Sequence, residues 1–158
     1  MIVHPIPPLF GEDSKTLILG SFPSVKSREA AFFYGHPQNR FWAVIAEVLG
    51  YDKPKNIEEK KKLILENRLA LWDVIASCEI EGSADSTINN VTANDLSIIL
   101  ENSRVDRILV NGKTAEKYYN KYTYPKTGIK AVCLPSTSPA NAAWSIERLI
   151  EAWKIIIE

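Results

Sequence analysis

GSFPSVKSREAAFFYGHPQNRFW, residues 20–42, is the part of the chain from which the rest can be read. It follows Thr16-Leu17-Ile18-Leu19, an apolar run of the right length for one buried strand. Gly20 and Pro23 open it with a turn. Phe41, Trp42, Ile45, Val48 and Leu49 return at helical spacing and predict a helix over 39–49, stopped by Gly50. Between the turn and the helix lie Phe32, Phe33 and Tyr34, then Gly35, His36, Pro37 and Gln38-Asn39-Arg40. In open α/β sheets ligands bind beyond the carboxyl ends of strands, where this loop would sit. Flat rings beside amides and an exposed glycine backbone suit a flat, polar-edged heterocycle such as a nucleobase.

On the N-terminal side, residues 1–13 carry Pro5, Pro7 and Pro8 and read as an extended arm; the first strand is expected over 15–19. On the C-terminal side, Asn56 and the Glu58-Glu59 pair predict a capped helix over 56–66. Its Lys60–Lys62 run could be a phosphate patch but reads first as a solvated helix face. LALWDVI, residues 69–75, reads as a second buried strand, with Asp73 an unusual acid inside an apolar run. Residues 79–94 are polar and read as a long loop, which is often functional at a strand end. Thr92 or Asn94 would cap a helix reaching residue 102. A third strand (107–111), a helix (113–121), a turn (123–128), a fourth strand (129–134), a loop (135–141) and a final amphipathic helix (142–157) complete the chain. Four strands alternating with helices predict an α/β protein, a three-layer αβα sandwich around a four-stranded parallel sheet, with residues 1–158 forming one domain.

The 158 residues are 46% apolar and 24% charged, with a formal net charge of zero. That fits a soluble globular chain with no overall field toward a polyanion, although helix N-termini and local groups can still bind phosphate. Cys78 and Cys133 are too few for a disulfide framework or a four-ligand metal cluster. No leader pattern and no membrane-length apolar run is present, so a cytoplasmic location is expected; a monomer without metal or cofactor is the further expectation.

Two motifs are familiar. The first is Gly20-Ser21-Phe22-Pro23-Ser24 with His36-Pro37-Gln38-Asn39-Arg40-Phe41-Trp42. The second is Leu134-Pro135-Ser136-Thr137-Ser138-Pro139-Ala140-Asn141. Their spacing and strand-end placement resemble the uracil-DNA glycosylase superfamily, most closely its hypoxanthine-DNA glycosylase branch. The likeness spans nearly the whole chain. It departs from other branches twice. Phe22 stands where mismatch-specific members carry a water-holding Asn, and Leu134 stands where the uracil enzymes carry a His that stabilises the leaving base. In the hypoxanthine branch the catalytic role moves to the Asn of the His-Pro-Gln-Asn run, which is Asn39 here.

The residues by themselves favour Asn39 as a helix cap; the resemblance implies catalysis. It also implies that Tyr34 stacks on the flipped base beside Phe22, and that Asp73 stands where the uracil enzymes carry a base-reading Asn. Hypoxanthine offers N1–H to a carboxylate, and the Gly35 N–H could meet O6. Asp73 could instead pair with an arginine such as Arg40. Ser136, Thr137, Ser138 and Asn141 precede the last helix, where hydroxyls and N–H groups grip phosphate; Ser21 and Ser24 could grip a second one. Asn111 ends the third strand and could reach the pocket. His4 lies in the arm and His36 would order its loop; neither is read as catalytic. No lysine stands in a motif marking a Schiff-base lyase. The expectation is a monofunctional glycosylase releasing deaminated bases, hypoxanthine first, from double-stranded DNA. A uracil or mismatched-thymine glycosylase and a non-catalytic binder of nucleotides or damaged DNA are the alternatives.

Overall fold

Period-two burial on both faces of one sheet organises the protein, in a computed structural model that describes all 158 residues. The N-terminal strand β1 (Ile2–Val3) is followed by β2 (Thr16–Gly20), α1 (Val25–Ala30), α2 (Phe41–Leu49) and α3 (Ile57–Glu66). Next come β3 (Leu69–Asp73), β4 (Ile75–Glu79), β5 (Asn89–Ala93), α4 (Ser97–Leu100) and β6 (Arg107–Asn111). The chain ends with α5 (Lys113–Tyr118), α6 (Tyr124–Thr127), β7 (Ala131–Leu134) and α7 (Ile146–Trp153). Strands β3, β2, β6 and β7 form a parallel sheet in that order. Ile18, Leu71 and Leu109 face a core shared with Phe41, Trp42, Ile45, Leu149 and Trp153. Leu17, Leu19, Ala70, Ile108 and Val110 face the other, with Ile99, Ala115 and Tyr119. A strand covered on both sides reads as a continuous apolar run, hence the uninterrupted Leu-Ile-Leu and Ile-Leu-Val.

The expected three-layer sandwich is present, together with a second sheet that the sequence pattern does not announce. Strands β1, β4 and β5 form an antiparallel sheet. The strand expected over 69–75 stops at Asp73 and restarts as β4. Much of the polar 79–94 stretch is the β4–β5 hairpin rather than loop. Strand β5 is mostly exposed, so backbone pairing rather than apolar burial holds it, and no hydrophobic alternation announces it. The arm is not a free extension: Ile2 and Val3 pair with Cys78 and Ser77, and Leu9 bridges Leu71. Helix α1 was also hidden, being six residues capped by Ser24. The last helix starts at Ile146, capped by Ser145, four residues later than expected. The expected 123–128 turn is helical: a π turn over Tyr119–Thr123 joins α5 to α6, and Gly128 in the left-handed region ends it.

Strand order places the site. After β2 the chain crosses to β3 on one side; after β6 it crosses to β7 on the other. The connections therefore diverge at the β2–β6 seam, which opens a crevice beyond Gly20 and Asn111. Trp153 anchors one wall: it is fully buried, edge-on to Phe41, and its Nε1–H donates to Pro135 O at 3.0 Å. Trp153→Ala should lower unfolding free energy by roughly 3–5 kcal/mol, the usual range for emptying a large aromatic site. Urea denaturation measures it; a loss under about 1 kcal/mol would mean that this core does not hold the wall.

Candidate active site

A cavity of about 590 Å³ opens at that seam. Its floor is Gly20, Asp73 and Asn111, the ends of three strands. Phe22, Tyr34 and Asn39 form walls, Ser136–Ala140 close one side, and Ser83–Ser86 of the β4–β5 hairpin close another. The volume lies in the range of small-molecule sites and admits a base with its sugar.

The two motifs meet through Thr137, which is fully buried. Its N–H donates to Asn111 Oδ1 at 3.1 Å, and its Oγ1 accepts from Asn111 Nδ2 at 3.0 Å. The same hydroxyl donates to Asn39 Oδ1 at 2.9 Å, and the Thr137 carbonyl accepts from Arg40 N–H at 3.1 Å. Asn39 Oδ1 also accepts from Phe41 N–H at 2.9 Å, so Asn39 does bond the start of α2. With both lone pairs of Oδ1 occupied, the amide orientation is fixed. Nδ2 has no protein partner and is the donor that Asn39 offers the cavity.

Arg40 is tied to the second motif rather than to Asp73. Its guanidinium donates to the carbonyls of Ser138 (3.1 Å), Asn141 (3.0 Å) and Trp144. Asn141 Nδ2 donates to Ser136 O, which makes it part of the loop's own frame, away from the cavity lining. Ser136 and Ser138 accept from the N–H groups of Ser138 and Ala140, leaving both hydroxyl protons to donate. Thr137 and Asn111, by contrast, have their polar side-chain atoms engaged within the protein. Ser24 caps α1, and Ser21 Oγ donates to Asp85 Oδ2 at 3.4 Å. The Gly35 N–H donates to Ser27 Oγ at 2.8 Å and Gly35 lies outside the lining, so it is not free for a base carbonyl.

The partner of Asp73 is His4. Asp73 is 4% exposed, and His4 Nε2 lies 2.7 Å from Oδ2. His4 Nδ1 accepts from Ile6 N–H at 3.1 Å, which places the imidazole proton on Nε2 and makes His4 the donor. The carboxylate's other oxygen, Oδ1, has no protein donor and leans over Gly20: a Cβ there would lie 2.3 Å from it. Tyr34, at φ 52°, stacks on Phe41 with ring centroids 3.9 Å apart, and its other side lines the cavity. Its hydroxyl is buried without a hydrogen-bond partner. Burial first, then the nearby Asp73 carboxylate, push its ionisation above the usual phenol range, against the opposing effect of the neighbouring Asn111 amide.

Asp85 on the hairpin brings a second carboxylate to the rim. Burial among the surrounding groups raises its pKa above the usual carboxylate value, against hydrogen bonds from Thr114 and Ser21. Sequence reasoning missed His4, Gly20 as a steric requirement, and Asp85. The signal for His4 was indirect: an acid inside an apolar strand demands a buried partner.

The description "Uracil DNA glycosylase superfamily" belongs to the family model that matches residues 7–156. A hypoxanthine DNA glycosylase from Methanosarcina acetivorans is 35% identical over 158 residues, covering 99% of this chain and 98% of the relative. A hypoxanthine DNA glycosylase from Methanosarcina barkeri is 32% identical over 137 residues, 85% of each chain. A solution NMR structure of a Methanosarcina acetivorans protein, provisionally described as a uracil DNA glycosylase, superposes with a TM-score of 0.82 at 31% identity, covering both chains completely.

The contact at Gly20 is testable by coupling. Gly20→Ala should cost roughly 1–3 kcal/mol in urea denaturation, because the Asp73 carboxylate must swing aside. In an Asp73→Ala background the same change should cost clearly less, because the worst collision is gone and the remaining close contact is the Tyr34 hydroxyl at 3.2 Å. Equal costs in both backgrounds would place the clash elsewhere.

Proposed function

The chain belongs to the uracil DNA glycosylase superfamily, and we infer that it is a monofunctional DNA glycosylase that hydrolyses the N-glycosidic bond of deaminated bases, hypoxanthine first, in base excision repair. Its partner is duplex DNA carrying the damaged base, on which it acts as a cytoplasmic monomer. No helix is long and apolar enough to cross a membrane. The observation that carries the substrate reading is the free Oδ1 of Asp73 inside the cavity.

A carboxylate oxygen only accepts. Hypoxanthine presents N1–H to it; adenine, the parent base, presents a lone pair at N1 and is repelled. The site thus separates a deaminated purine from its precursor by the atom that deamination changes. Uracil also carries an N–H at the equivalent edge, so the same oxygen would admit it. Tyr34, backed by Phe41, offers a ring face on which a flipped base stacks.

Bond cleavage makes the sugar oxocarbenium-like and the base anionic. Asn39 serves this as a donor only, because its oxygen is doubly engaged. Its Nδ2–H either holds the attacking water by that water's oxygen or meets negative charge on the departing base. The loop 135–141, held by Arg40, Thr137 and Trp153, is stiff enough to keep a duplex parted once the base leaves the stack. The hydroxyls of Ser136 and Ser138 are its donors for phosphate.

Single-turnover assays on duplexes carrying hypoxanthine, uracil or xanthine, with alkaline cleavage of abasic sites, test the activity directly. Asn39→Ala should slow hypoxanthine release roughly 10²–10³-fold, as loss of one aimed amide donor typically does. Binding to the same duplex should stay within a few-fold. A rate within about threefold of wild type would leave Asn39 only the cap of α2.

A further inference from the structure

We propose that His4, carried by the N-terminal arm, is a positioning residue for base selection: it holds Asp73 as an acceptor with one free oxygen aimed into the cavity. The proposal rests on the reading of Asp73 as the group that meets the base N–H.

The arm places His4 with unusual care. His4 N–H donates to Ala76 O at 2.7 Å, and the flanking Ile2 and Val3 pair with β4. Trp72 Nε1–H donates to Ile6 O at 3.1 Å, fixing the chain just beyond. The imidazole is 3% exposed and lies edge-on between Phe22 and Trp72, with centroids at 6.0 and 6.3 Å. Both ring nitrogens are engaged and the ring is packed on two sides, which holds Nε2 toward Asp73.

What His4 does follows from the other neighbours of the carboxylate. No lysine or arginine lines the cavity. The titratable groups that share it with Asp73 are Tyr34, His36 and Asp85, none a cation paired with it. His4 is the one side chain that hydrogen-bonds the carboxylate. Without that donor, Oδ2 is an unsatisfied buried oxygen, and the carboxylate is free to rotate Oδ1 off its line into the cavity. The arm thus keeps Oδ1 aimed at the base, although His4 contributes nothing to the cavity lining.

The test uses the full-length chain and duplexes holding uncleavable 2′-fluoroarabino nucleotides of hypoxanthine or unsubstituted purine, with affinity read by fluorescence anisotropy. Purine lacks the N1–H, so its binding does not use Asp73 Oδ1. Wild type should prefer hypoxanthine by roughly 10–100-fold, the range for one hydrogen bond to a charged group. His4→Leu should reduce the preference to about twofold or less, chiefly by weakening hypoxanthine binding. His4→Gln, whose amide reaches the same oxygen, should keep most of it. If His4→Leu does not fold, His4→Asn serves: its shorter amide reproduces Nδ1 and not Nε2, so the preference should be lost. Equal weakening on both duplexes, or an unchanged preference, would overturn the role of His4 while leaving the glycosylase reading intact. A wild-type protein that neither prefers nor releases hypoxanthine would remove both.

Discussion

One hydroxyl carries the arrangement. Thr137 joins two sequence motifs separated by 98 positions, and the direction of its bond to Asn39 decides what Asn39 can do. An asparagine can present either end of its amide. Here two donors converge on the oxygen, the Thr137 hydroxyl and the Phe41 N–H, so the NH₂ end faces the cavity. The donor is fixed before any substrate arrives, which is what electrostatic preorganisation requires. Asn111 clamps Thr137 from the neighbouring strand, and Arg40 fastens the loop beyond it through three carbonyls. Neither residue needs to touch substrate to matter.

The sheet supplies the second constraint. Register pairs Gly20 with Asp73, and the missing side chain at Gly20 leaves the space that Oδ1 occupies. Gly112 performs a similar service one strand over, where a Cβ would lie 3.0 Å from Ser136 and push the loop away. The antiparallel sheet then has a purpose that its polar sequence hides: β4 is the rail on which the arm docks, and the arm delivers His4 beneath Asp73.

The central sheet was legible because both its faces are buried, which writes each strand as an apolar run. The cavity's location was legible because a ring-rich loop followed the first such run. Asp73 stood out as an acid where no acid belongs. The rest depended on atoms that pattern does not encode. Pairing of the exposed β5 rests on backbone hydrogen bonds, which leave no periodicity. His4 lies 69 positions from Asp73, among prolines that suggest only an extended chain. Gly35, Ser24 and Thr137 have the composition of ligand-binding groups, yet their hydrogen bonds are taken up by the fold itself. Composition can say that a group is able to donate; only the fold says to whom.

On the proposed reading of Asp73, selection by a carboxylate has a catalytic consequence. A base that departs as an anion gains negative charge beside an existing one. At about 4 Å and an effective dielectric near 20, two such charges oppose each other by roughly 4 kcal/mol. No lysine or arginine lines the cavity to offset this. On that reading the compensation comes from a neutral donor fixed at the cavity wall, Asn39 Nδ2. On this reading the site favours discrimination over speed, a sensible balance for an enzyme that must pass over every intact adenine in a duplex to find the one that has lost its amine.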